Sequence, residues 1–134
     1  MSNVKVFRDQ AQKEINEWLE FKKIGDKKRE DASEQIEALV NAVVEGILTI
    51  TEDKKITHAL KFPLEGELLI NKLEYKPRLR VADIHTHMNG IKGGDADGRV
   101  RAYITALTGQ PQNVIKALDT EDYSIAQSIA IFFL

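Results

Sequence analysis

Lys55-Ile56-Thr57-His58-Ala59-Leu60-Lys61-Phe62 is the stretch where the hydrophobic period of this chain changes, and that change decides the fold class. Ile56, His58, Leu60 and Phe62 alternate with Lys55, Thr57, Ala59 and Lys61, the two-residue repeat of a half-buried strand. Pro63 ends the run or marks a sheet edge. Glu65-Gly66-Glu67 is a turn signal and Leu68 to Tyr75 supplies a second strand, so residues 55–76 are expected to form a β-hairpin.

On the N-terminal side the period is helical. Phe7, Ala11, Ile15, Trp18 and Leu19 predict an amphipathic helix over residues 5–23, and Gly25-Asp26 breaks it. The charged run from Lys22 to Asp31 mixes both signs and reads as a solvated turn or frayed helix end. Asp31 or Ser33 can cap a second helix, whose stripe is Ala32, Ile36, Leu39, Val40, Val43, Val44 and Ile47. Residues 1–50 are thus expected to be a helical hairpin.

On the C-terminal side, Arg78 to His87 reads either as a third strand or as a short helix with Pro77 near its first position. Met88 to Gly98, with glycines at 90, 93, 94 and 98, reads as a mobile loop. Asp97 is the expected cap of a helix carrying Val100, Tyr103, Ile104 and Leu107, and Gly109 its expected end. Pro111 starts a further helical turn with Val114, Ile115 and Leu118, and Asp119 or Thr120 caps a last helix. That makes a three-helix segment over residues 99–134. The expected fold is therefore a single mainly helical α+β domain: helical hairpin, small β-hairpin, three C-terminal helices.

The chain ends in Ile129-Ala130-Ile131-Phe132-Phe133-Leu134. Leaving large apolar side chains in water costs roughly 1.5 to 3 kcal/mol each, so this end must fold back or meet a partner. Ile125, Ile129 and Phe132 follow a core stripe, whereas Ile131, Phe133 and Leu134 do not. The expected partner contacts are Tyr103, Tyr123, Ile131, Phe132, Phe133 and Leu134, with Tyr103, Tyr123 and Trp18 able to serve in either role.

With 134 residues the chain fits one domain, and such a domain buries about two thirds of its unfolded surface. It contains no cysteine, which excludes disulfides and thiolate metal sites. A formal net charge of -2 gives no electrostatic reason to expect nucleic acid as the main ligand. Met1-Ser2-Asn3-Val4-Lys5 lacks the apolar core of a secretory leader and no run is long enough to span a bilayer, so a cytoplasmic location with no membrane association is expected.

The sharpest enzymatic candidate is Asp83-Ile84-His85-Thr86-His87, because H-x-H can present two imidazoles to one metal. It resembles the opening motif of amidohydrolases and related metal-dependent hydrolases. Those families use a longer barrel and further histidines downstream, whereas this chain has only His58 besides the pair. A catalytic zinc needs three protein ligands, which here would come from His85, His87 and Asp83 or Asp95. The pattern also fails against metal-dependent deubiquitinating peptidases, whose serine and aspartate positions fall on Asp95 and Gly98. Read as a calcium loop, the segment would start at Gly93 and place Ile104 where a bidentate glutamate is needed. The glycines form neither a P-loop nor a dinucleotide fingerprint, and no G-x-S-x-G is present. Arg78, Arg80, Arg99 and Arg101 read as scattered surface charges or a modest basic patch. No metal and no cofactor are expected.

Lys61-Phe62-Pro63-Leu64, Tyr75-Lys76-Pro77, the glycine-rich loop, Leu107-Thr108-Gly109-Gln110-Pro111, Leu118-Asp119-Thr120-Glu121-Asp122-Tyr123 and the aromatic end occur in an order that resembles the tail-assembly chaperones of long-tailed bacteriophages. The similarity is greatest to those of Mu-like and other contractile-tailed phages. It covers residues 56–134 and leaves residues 1–50 without a counterpart. The resemblance implies a non-enzymatic protein of the host cell cytoplasm, oligomeric with itself, that binds the tape-measure protein and helps tail-tube subunits assemble. The alternatives are a small metal-dependent hydrolase using His85 and His87, or a structural component of the virion tail or baseplate.

Overall fold

The first helical stripe becomes α1 (Arg8–Phe21), which buries Ala11, Ile15, Trp18 and Leu19. A computed structural model describes residues 6–134. The expected helix start at Lys5 and the leader reading of residues 1–5 lie outside the described residues. Lys23, in the left-handed region at φ 59°, ends the helix, while Lys22, Lys23 and Ile24 return N–H bonds to the last turn.

The charged run contains one short helix, α2 (Asp26–Asp31), with no buried side chain. It stays ordered because Ala32 is buried and the Arg29 Nε donates to the Ile24 carbonyl at 3.1 Å. Neither expected cap acts as one. Asp31 closes α2, Ser33 opens α3 (Ser33–Val44), and the residue between them, Ala32, caps through its backbone alone. α3 buries Leu39, Val40, Ala42 and Val43 and packs on α1, with Arg8 bonding both Asn41 and Glu37 across the pair.

The helical stripe stops short of Ile47. Gly46 turns the chain at φ 77°, and Leu48–Ile50 forms a strand, β1, that the sequence reading does not contain. The expected hairpin is therefore part of an antiparallel three-stranded sheet in the order β1, β2 (Ile56–Leu64), β3 (Ile70–Tyr75). Leu48 faces His58, and His58 in turn faces Leu73, so the core-facing row of β2 lies between apolar partners. Pairing of β2 with β3 lapses between Ala59 and Leu64, which accommodates Pro63, a residue without an N–H to give to a ladder.

β3 leaves the sheet through Lys76, whose N–H donates to the Leu107 carbonyl at 3.0 Å and docks the sheet onto the C-terminal helices. Of the two readings of Arg78 to His87, the helix forms: α4 (Val81–His85), with the Asp83 carboxylate accepting from Arg80 N–H at 2.8 Å. A 3-10 turn, Thr86–Met88, follows. α5 (Ala96–Thr108) starts earlier than expected. Asp95, not Asp97, is its cap, accepting from Gly98 N–H at 2.8 Å. Gly109 ends α5 at φ 70°, Pro111 precedes α6 (Gln112–Ala117), and Asp119 caps α7 (Thr120–Ala130) by accepting from Glu121 N–H. α7 then packs against α3, α5 and β2, which places the chain end beside α1.

Candidate functional site

The apolar end folds back. After α7, the N–H groups of Ile131, Phe132 and Phe133 bond to the Gln127, Ile129 and Ala130 carbonyls, making a tight terminal turn. Phe132 is 4% exposed and meets Trp18 edge to face at 5.6 Å between centroids. Phe133 is half-buried, 6.3 Å from Trp18, with the Lys22 ammonium 3.3 Å from its ring centre. Burial pushes the Lys22 amine down to about 8, and the positive charge of Arg78 adds to the shift, while the ring face gives the cation a favourable contact. Ile131 is half-buried and Leu134 is 43% exposed.

The expected partner contacts thus divide three ways. Tyr103 and Phe132 are buried in the core. Ile131, Phe133 and Leu134 sit on the terminal turn with surface left at the exterior. Tyr123 lines a separate cleft with Arg101, Ile115, Lys116, Leu118 and Thr120. A further apolar area, which the sequence reading did not single out, lies at the β2–β3 turn, where Leu69 is 78% and Phe62 47% exposed. Phe62 continues the inward row of Lys55–Phe62, but the lapse in pairing after Ala59 ends the strict alternation that would have buried it.

His85 closes α4 and is exposed, while His87 lies in the following 3-10 turn and is half-buried. Among the described residues no three His, Cys, Asp or Glu side chains converge as a metal site would require. The donor set considered for zinc is therefore not assembled.

A different polar constellation is assembled, and it is sealed. His58 of β2, Tyr75 of β3 and Asp122 of α7 are at most 1% exposed. The Asp122 carboxylate accepts from Lys61 N–H at 2.9 Å and Phe62 N–H at 3.0 Å, the two amides that the lapse in strand pairing leaves free. Its Oδ1 also accepts from His58 Nε2 at 3.1 Å. An imidazole with its proton on Nε2 has only a lone pair on Nδ1, so the Tyr75 hydroxyl donates there, at 2.9 Å.

Burial lowers the His58 pKa, and the Asp122 charge and hydrogen bond only partly offset it, which makes this a hydrogen bond to a neutral ring rather than an ion pair. Burial, with the Asp122 charge, raises the Tyr75 pKa. The residue types suit proton transfer, yet no substrate can touch them here. Their effect is to lock α7 onto the sheet. The signal was present in the sequence as a histidine on the inward row of β2: a buried imidazole needs partners. Asp122 gave none, since an acid in the first turn of a helix is explained by the dipole alone.

No protein-family model, curated protein or solved structure matches this chain.

Proposed function

We propose that the chain acts by binding another protein, as a tail-assembly chaperone of a phage or prophage that holds the tape-measure protein while tail-tube subunits assemble around it. The observation that carries this reading is the terminal turn, where Ile131, Phe133 and Leu134 keep apolar surface at the exterior on a base fixed by Phe132 against Trp18. Such a pre-ordered edge loses little conformational entropy when a partner covers it. The resemblance of residues 56–134 supplies the class of partner. A tape-measure protein is long, helical and partly apolar, and its uncovered faces would associate with one another before the tube closes. A small protein with an apolar edge can shield them by receiving the apolar stripe of a helix.

Catalysis is the less supported reading, because the buried His58, Tyr75 and Asp122 are engaged with one another and with the β2 backbone. Self-association and a place in the host cytoplasm belong to the same proposal. The test is co-expression with a long helical tape-measure protein. A larger soluble fraction of that protein is expected, and an unchanged fraction would count against the reading.

A further inference from the structure

The cleft between α5, α6 and the start of α7 has a chemistry of its own. Arg101, Lys116, Thr120 and Tyr123 line it together with Ile115 and Leu118, enclosing about 240 Å³. Two cations and two hydroxyls face an apolar wall, and no carboxylate is among the lining side chains. Neither Arg101 nor Lys116 forms an ion pair among the described residues. The Arg101 Nε and the Tyr123 hydroxyl are both shielded from solvent with no hydrogen-bond partner. Polar atoms so placed are ordinarily satisfied, and unlike the Trp18 Nε1, which is unpartnered inside the apolar core, these two belong to residues that line a cleft open to a ligand.

The acids at the start of α7, beside Thr120 and Tyr123, are committed elsewhere. Asp119 accepts from the backbone N–H of Glu121 at 2.9 Å, Glu121 pairs with Lys61 at 2.8 Å, and Asp122 is held at the β2 irregularity. The first turn of α7 thus leaves the cationic cleft on its flank without a counter-charge.

We infer that this cleft binds a carboxylate carried on a short apolar stem. In it the carboxylate accepts from Arg101 and Tyr123, Lys116 adds charge at the rim, and Ile115 and Leu118 cover the stem. A guanidinium fork suits a planar carboxylate, which can accept two parallel N–H bonds. The volume accommodates a side-chain-sized group. Both a free short-chain acid and a glutamate side chain on a partner present this chemistry. The site stands apart from the terminal turn and does not depend on the chaperone reading.

The test is an NMR titration of the intact protein that follows the Arg101 Nε–H and the Thr120 and Tyr123 amides. The probes are propionate, the blocked peptide acetyl-Ala-Glu-Leu-amide, its Gln counterpart, and inorganic phosphate. Saturable shifts at these three positions are expected with propionate, with the Glu peptide, or with both, and not with the Gln peptide. Tighter binding of propionate than of the Glu peptide assigns a free acid as the source, and the reverse assigns a partner side chain. Arg101→Gln should weaken binding by about tenfold or more, the loss of a charge-assisted bond. The exposed Lys116→Gln should weaken it less, and Arg99→Gln, outside the cleft, should leave it unchanged. Equal binding of the Glu and Gln peptides, tighter binding of phosphate than of either carboxylate, or no shift up to millimolar probe would overturn the inference. If Arg101→Gln does not fold, the Lys116 and Arg99 variants still decide it.

Discussion

Replacing Asp122 with alanine removes one carboxylate that holds three donors from β2. The His58 imidazole is fully buried, and the Lys61 and Phe62 amides have no strand partner to return to. Removing the acceptor while leaving its neutral donors in place costs about 1 to 3 kcal/mol for each donor left unsatisfied, and so at least about 3 kcal/mol for the three together. That is a large part of the roughly 5 to 15 kcal/mol that stabilises a domain of this kind. Trp18, the single tryptophan, is fully buried and reports unfolding through its fluorescence.

With a urea slope of about 1 to 3 kcal/mol/M, the Asp122→Ala midpoint should fall by more than about 1 M. Asp122→Asn keeps one acceptor and turns an NH₂ toward a backbone N–H, so it should fall between wild type and alanine. A loss of less than about 1 kcal/mol for Asp122→Ala, the worth of one ordinary hydrogen bond, would refute the claim that this side chain locks α7 to the sheet.

Three further outcomes follow from the same contacts. The His58 pKa is lowered in the fold from the usual 6.5, so its contribution to stability is fully present above that pH and is lost as pH falls toward the folded value. The unfolding free energy from urea melts should fall by up to about 1.4 kcal/mol per pH unit on acidification in this window, and His58→Gln should flatten that limb. Phe132→Ala should cost about 3 to 5 kcal/mol in thermal or urea melts, whereas Leu134→Ala should change stability by less than about 1 kcal/mol, since its side chain is 43% exposed. Gly98→Ala would drive its Cβ into the Asp95 carboxylate that caps α5, and the displaced cap should lower stability by about 0.5 to 2 kcal/mol, read as a lower melting midpoint.

The parts of the fold that were legible in the sequence are those governed by local physics. The stripe of α3, Gly109 at a left-handed position, and Asp119 before an acidic first turn each carry their reason within a few residues. β1 was hidden because three residues show no period, and Ile47 before it happens to continue the helical stripe. Asp95 and Asp97 are both acceptable caps by type, and only the bond to Gly98 separates them. The apolar end was recognised as needing cover, but its cover, Trp18, lies far away in sequence. The same holds for the polar lock, which joins residues 58, 75 and 122. Nothing local marks Asp122 for that role, or indicates that Asp119 and Glu121 are engaged outside the cleft beside them.

The central claim is that the terminal turn receives another protein. Its most direct test measures the affinity of a labelled tape-measure segment for the wild-type chain and for the Phe133→Ser, Leu134→Ser double variant, with Trp18 fluorescence confirming that both are folded. The account predicts saturable binding by the wild type, weakened by about tenfold or more when the two apolar contacts are removed. Equal affinity of the two folded proteins, or no binding by either, would contradict it.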